Sequence, residues 1–181
     1  FPPIFYPNVT PGKARMLAKL FLEEGDPRLE HILGATEEND LIPAVTEFNR
    51  FSMEKRVVME HCGRIDPEDI HEYIAEKGYA SLVRGLTADP AEIIGQIKAA
   101  GLRGRGGAGF PTGRKWELAR DAAGDGKIVI CKADEGDPGA YMDRTLLESN
   151  PHQVLEGMIL CARAIGARKA MVYVRAEYPL A

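Results

Sequence analysis

KIVICKA at residues 127–133 and AMVYV at residues 170–174 are short apolar runs rich in β-branched side chains, and PHQVLEGMILCARAI fills residues 151–165 between them. A run of that length and composition has the pattern of a strand buried on both faces. The middle stretch carries helix punctuation instead. Asn150 can cap a helix, Pro151 suits the first helical position, and Gly166 stands where the helix should stop. Strand, helix and strand make a βαβ unit, so the two strands should lie parallel in one sheet. The fold class is α/β.

Toward the N-terminus the punctuation is mainly helical. Asp89-Pro90-Ala91-Glu92 combines a cap, a proline and a capping-box spacing, and predicts a helix running to Gly101. Asp66-Pro67-Glu68-Asp69 predicts another helix, with Gly78 as its C-cap. Met16, Leu17, Leu20 and Phe21 have helical spacing within residues 12–24, and Gly25-Asp26-Pro27 ends that run. Residues 1–11 carry four prolines and read as an extended arm, while residues 41–51 fit a short helix or a strand equally well. No internal repeat or low-complexity segment is visible.

Composition sets the outer limits. The 181 residues suffice for one domain with a core, or a small domain plus an extension. Hydrophobic content of 45% and charged content of 28% are ordinary for a soluble protein. A net charge of −4 argues against a nucleic-acid partner. No apolar run approaches the roughly 18 residues of a membrane span; residues 154–167 come nearest and are cut by Glu156 and Arg163. The chain opens on Phe1 without a basic-then-apolar leader, which reads as a processed or truncated chain with no secretory signal. Cys62, Cys131 and Cys161 are odd in number and form no CxxC pair. They offer neither a zinc ribbon, nor an iron–sulfur site, nor a disulfide framework, and point to buried thiols in a reducing, cytoplasmic compartment. His31, His61, His71 and His152 show no ligand spacing, so no metal site is expected.

Two loops carry chemistry. Residues 101–115, GLRGRGGAGFPTGRK, hold six glycines and four cations (Arg103, Arg105, Arg114 and Lys115) with no carboxylate. Glycine lets backbone approach a ligand and adopt positive φ. The stretch contains Gly104-x-Gly106-x-x-Gly109, yet a helix rather than a strand precedes it, so the dinucleotide fingerprint is not met. No Ser or Thr follows Lys115, so it is not a Walker A loop either. What remains is a glycine loop entering a helix near Thr112, a place where backbone donors and the helix dipole suit a phosphate. The alternative is a surface loop that binds nothing. The second loop follows the first strand: Asp134, Glu135, Asp137 and Asp143 place four carboxylates in ten residues with no cation among them. Ligands in open α/β sheets sit at the carboxyl ends of strands. These carboxylates could receive ribose hydroxyls, a ring N–H or a carboxamide; a divalent metal or a solvated acidic turn are the alternatives. A basic loop for phosphate and an acidic loop for sugar and ring together predict a bound nucleotide.

At these residues the chain resembles the NADH-binding flavoprotein subunit of respiratory complex I and the related diaphorase subunits of NAD(P)-linked hydrogenases and formate dehydrogenases. GLRGRGGAGFPTGRKW at 101–116, ADEGDPGAYMDRTLLE at 133–148, PHQVLEGM at 151–158 and YVRAEYP at 173–179 carry the resemblance, with CGRIDPEDIHEYI at 62–74 as a helical lead-in. It spans roughly residues 55–181, and the GDPGAYMDR wording leans toward the hydrogenase branch. The resemblance implies a helical N-terminal segment followed by the first part of a Rossmann-like FMN-binding domain with a parallel sheet. It divides the chain into an arm and helices at 1–60, a lead-in at 61–100, and half of an FMN/NADH domain at 101–181.

The same resemblance implies hydride transfer from NADH or NADPH to FMN and single-electron exit to iron–sulfur clusters, with no catalytic side chain. Gly104, Arg105, Gly106, Gly107, Ala108 and Gly109 would lie along the flavin and its phosphate side, with Lys115, Lys132, Asp134, Tyr173 and Glu177 completing the FMN site. Phe110, Glu135 and Asp137 would meet the nicotinamide nucleotide. Lys132 stands where many relatives have Asn, Leu118 where the respiratory branch has a second stacking aromatic, and Asp137 where Glu is frequent. A 4Fe-4S cluster is implied only for the C-terminal part of such a subunit. Implied partners are a thioredoxin-like iron–sulfur subunit and further electron-transfer subunits, in a cytoplasmic complex or one peripheral to the inner membrane. The alternative is a non-catalytic nucleotide-binding or assembly module of the same family.

Overall fold

The Thr10 side chain accepts a hydrogen bond from Lys13 N–H at 3.2 Å, and Pro11 occupies the first turn of α1 (Pro11–Lys19). The computed structural model describes residues 3–37, 39–47, 53–124 and 126–181. They fall into two units, Phe1–Val58 and Met59–Ala181. In the first, α1 widens into a π-helical turn at Leu20–Glu24 that Gly25 closes at φ 66°. Of the four apolar residues with helical spacing only Leu17 is buried. Within the expected arm, β1 (Ile4–Phe5) pairs antiparallel with β2 (Gly34–Ala35), and residues 1 and 2 lie outside the described residues. The ambiguous stretch at 41–51 contains a single 3-10 turn, Val45–Glu47; its residues 48–51 also lie outside them.

The second unit contains most of the predicted elements, with two shifts. Helix α2 (Ile70–Ala75) starts three residues late because Asp69, not Asp66, is its N-cap, accepting from His71 N–H at 2.8 Å. Asp66 closes a separate turn onto Glu68 N–H at 2.9 Å and donates its own N–H to Glu72 Oε2 at 2.6 Å. At the other end Lys77, at φ 66°, takes the left-handed position expected of Gly78. Gly78 is needed for space: a Cβ there would run into the Tyr73 ring. Next comes α3 (Ala80–Thr87), which no local signal announced. Its cap is remote. Glu156 accepts from Tyr79 N–H at 2.9 Å and Leu82 N–H at 3.0 Å.

The remaining order is α4 (Pro90–Ala99), α5 (Thr112–Asp121), β3 (Ile128–Ala133), α6 (Met142–Ser149), α7 (Pro151–Ile165) and β4 (Lys169–Val174). Asp89 caps α4 through Ala91 N–H at 2.7 Å. Asn150 caps α7, which Gly166 ends at φ 78°. Trp116 of α5 packs against both core clusters, Ile93, Ile94 and Ala164 on one side and Val129, Met158 and Ile165 on the other. Full burial of each such aliphatic side chain stabilises by about 1.5–3 kcal/mol. Close approach of α4 and α5 requires Gly113, where a Cβ would stand 2.8 Å from Lys98 N.

β3 and β4 pair in parallel from Ile128 opposite Lys169 to Ala133 opposite Val174. The parallel βαβ arrangement holds, but the expectation of two covered faces does not. Val129 and Ala133 are buried on one face, while Ile130 is 64% and Met171 54% exposed on the other. α7 and α5 cover only the first face of this two-stranded sheet. Cys62, Cys131 and Cys161 are thiols rather than disulfides. Burial pushes the Cys161 thiol up to about 11 against the opposing charge of Lys115, so it stays protonated and unreactive at neutral pH. Among the described residues no helix is long and apolar enough to cross a membrane.

Candidate functional site

The glycine loop is a closed turn between α4 and α5. Gly104 N–H donates to the Phe110 carbonyl at 2.9 Å, Thr112 N–H to the Leu102 carbonyl at 2.9 Å, and Arg103 to the Gly109 carbonyl at 3.1 Å. These bonds pin the base of the loop and leave its tip to glycine. Gly107 and Gly109 sit at φ 101° and 61°, conformations that L side chains resist. Beyond its own and the adjacent residues, no described residue comes within 4 Å of where a Cβ would stand at Gly106, Gly107 or Gly109, so the tip presents bare backbone. The four cations are not equivalent. Arg114 is held by Glu117, which also binds Lys98, so its charge is offset on its own helix. Arg105, Ala108 and Phe110 are exposed, and among the described residues neither Arg105 nor Lys115 forms an ion pair.

The acidic loop leaves the carboxyl end of β3. Asp134 lies 3.8 Å from Lys132 Nζ, whose ammonium also donates to the Asp134 carbonyl. Glu135 Oε1 accepts from Met142 N–H at 3.1 Å, at the start of α6, where a carboxylate complements the helix dipole. The other oxygen, Oε2, is buried and has no partner among the described residues. Burial, with the charge of Glu135 added, raises the Asp143 carboxyl above the usual range; Lys132 opposes the shift. Asp137 lines a cavity of about 250 Å³ with Tyr141, Arg144, Arg175, Glu177 and Tyr178.

Residues 134–143 contain no cation; besides Lys132 just before them, the acidic loop is served in space by Arg175, the residue after β4. Arg175 Nη2 and Nε bond the Glu177 carboxylate at 3.0 and 3.3 Å, Nη1 donates to the Glu135 carbonyl, and Nε stands 3.9 Å from Asp134. These bonds hold the Glu177 carboxyl below the usual range. The guanidinium also lies over the Tyr178 ring at 5.9 Å, with Arg144 at 5.6 Å from the same ring. Sequence reasoning did not single out Arg175, forty residues from Glu135. The signal was its place at the end of the second strand, since parallel pairing sets residues after Val174 beside those after Ala133.

The structure therefore brings Lys132, Asp134, Glu135, Asp137, Tyr173 and Glu177 to one end of the sheet, with Lys132 directly opposite Tyr173 on its uncovered face. The glycine loop group belongs to the same unit and is anchored by Trp116 to the helices behind the sheet. Among the described residues no hydrogen bond or ion pair joins the two loops. The donor set suits a phosphorylated ligand: open glycine backbone and, among the described residues, Arg105 and Lys115 without an ion pair, with the buried Glu135 Oε2 left without a partner.

Residues 97–181 match the Nuo51 FMN-binding domain. The chain is 54% identical over 126 residues to the NADP-reducing hydrogenase subunit HndC of Solidesulfovibrio fructosivorans, covering 70% of this chain and 26% of that protein. It is 47% identical over 110 residues to an NADH-quinone oxidoreductase subunit of Aquifex aeolicus, covering 61% of this chain and 26% of that one. A crystal structure of an air-oxidized NAD+-reducing [NiFe]-hydrogenase is similar over 96% of this chain and 27% of its own, with 30% identity and a TM-score of 0.53. The resemblance read from the motifs thus stands over this part of the chain. The chain spans about a quarter of the length of the curated relatives it matches.

Proposed function

We propose, from the match of residues 97–181 to an FMN-binding domain, that this chain forms part of an FMN and NAD(P)H site in an NAD(P)H:acceptor oxidoreductase. The observation that carries the reading is an open glycine tip in the same unit as strand exits that carry Glu135 Oε2, buried and unpartnered among the described residues. When bound, FMN would supply hydride acceptance and one-electron release, chemistry no side chain here provides. The chain's own residues bind and orient. Backbone of Gly104–Gly109 with Arg105 and Lys115 would take the phosphate side of FMN. Lys132, Asp134, Tyr173 and Glu177 would border the ring, and Phe110, Glu135 and Asp137 the nicotinamide nucleotide. Residues 101–181 would then be the first half of a Rossmann-like FMN domain, 61–100 its helical lead-in, and 1–60 an N-terminal arm. A thioredoxin-like iron–sulfur subunit and further electron-transfer subunits would take the electrons, in a complex that is cytoplasmic or peripheral to a membrane.

The exposed Ile130 and Met171 favour a second reading, in which this part binds nucleotide or assembles with further polypeptide without itself passing electrons. One experiment separates them. FMN is added to the protein, the visible flavin spectrum is recorded after desalting, and NADH is then added without oxygen. Retained flavin that bleaches supports the oxidoreductase. Retained flavin that does not bleach supports the binding module, and no retained flavin overturns the flavin site.

A further inference from the structure

We infer that Arg175 is a positioning residue for the nucleotide-facing edge of this site, holding the acidic loop and the exit of β4 in one arrangement. The inference rests on the proposed function and goes beyond it in naming what sets the geometry of the carboxylates. Beyond the strand ladder, Arg175 supplies the only hydrogen bond between residues 134–141 and residues 175–181 among the described residues, through Nη1 to the Glu135 carbonyl. The same guanidinium grips both Glu177 oxygens and stands 3.9 Å from Asp134. Three acidic residues that would border flavin and nucleotide are thereby referred to one planar group.

Two further features show why this grip governs the site. Among the described residues Glu135 Oε2 is buried without a partner, so whether a ligand can reach it depends on where the loop backbone is held. Arg175 holds the Glu135 carbonyl, Met142 N–H holds the Glu135 side chain at Oε1, and Lys132 Nζ holds the neighbouring Asp134 carbonyl. A planar fork also cannot be replaced by a point charge: lysine keeps the charge but cannot bond two Glu177 oxygens and a carbonyl together. Geometry and charge are therefore separable by substitution. Arg175 has 31% side-chain exposure and its guanidinium lies over the buried Tyr178 ring, so the stability of each variant is measured beside its exchange.

The test compares Arg175→Lys and Arg175→Met with the unaltered full-length protein as isolated. Amide hydrogen exchange over residues 134–142, measured without nucleotide, reads the loop directly and does not depend on flavin chemistry. Both variants should exchange there at least about tenfold faster, with α7 unchanged. In the flavin-loaded protein, KM for the reduced nicotinamide nucleotide should rise about tenfold in both, with kcat per bound flavin within about threefold. If Arg175→Lys restores wild-type exchange and KM, charge rather than positioning is its role and the inference is overturned. Unchanged exchange in both variants also overturns it. Wild-type protein that neither retains FMN nor responds to NADH defeats the proposed function instead, and leaves the exchange result standing on its own.

Discussion

Replacing Glu156 by Gln changes one atom and should destabilise the second unit far more than a surface substitution. Glu156 is 9% exposed, and its two oxygens receive three donors. Oε2 accepts Tyr73 Oη–H at 2.6 Å and Tyr79 N–H at 2.9 Å, and Oε1 accepts Leu82 N–H at 3.0 Å. Glutamine has one carbonyl oxygen. Whichever way its amide turns, a backbone N–H of Tyr79 or Leu82 faces an NH2 group, and a buried unsatisfied donor costs about 1–3 kcal/mol. The surviving bonds also lose their charge assistance, about 1 kcal/mol each. The sum is about 3 kcal/mol, within the range for breaking a buried charged network. Tyr73→Phe removes one donor and leaves the carboxylate two, so it should cost about 1–2 kcal/mol. Trp116, the single tryptophan, lies between the two core clusters and reports unfolding by fluorescence in a urea titration. If Glu156→Gln lies within about 0.5 kcal/mol of wild type, the level of an ordinary surface change, the remote-cap explanation of α3 is wrong. It is equally wrong if Tyr73→Phe costs more than Glu156→Gln.

Gly113→Ala should destabilise by about 1–3 kcal/mol, because its methyl would meet Lys98 N at 2.8 Å and press α4 from α5; thermal denaturation measures this. Gly107→Ala should cost only about 1 kcal/mol of stability from its φ of 101°, yet weaken FMN binding at least about tenfold by placing a methyl on the bare tip. Flavin titration decides, and equal affinity would remove the tip from the phosphate site. Burial and the Glu156 hydrogen bond raise the Tyr73 hydroxyl above its ordinary 10.0. Because the folded value is the higher one, that stabilisation is whole below pH 10.0 and is lost as pH rises above it. Urea midpoints should therefore fall in that range, and less steeply in Tyr73→Phe. Lys132→Asn should lower the flavin midpoint potential by removing a cation that favours the reduced, anionic ring. The shift should be modest because Asp134 at 3.8 Å already offsets that charge, and no shift in a spectroelectrochemical titration would place Lys132 away from the ring.

Sequence alone determined what is encoded locally. Asp89-Pro90, Asn150-Pro151 and Gly166 mark helix ends because a cap side chain, a fixed proline φ and a glycine at positive φ act within a few residues. KIVICKA and AMVYV became β3 and β4 in parallel register because two such runs joined through a helix have few other ways to bury themselves. The glycine loop and its helix entry at Thr112 were legible for the same reason. Tertiary structure decided whatever depends on partners far along the chain. Helix α3 has its cap on α7, some 75 residues away, so nothing near Tyr79 could announce it. Glu117 stands one turn from Arg114 in sequence, but only the packing of α4 on α5 brings Lys98 to the same carboxylate. The acidic loop has only Lys132 near it in sequence until the exit of β4 brings Arg175 to it. Hydrogen bonds and ion pairs act over a few ångströms of space, not of sequence, and only the packed sheet brings those groups within range.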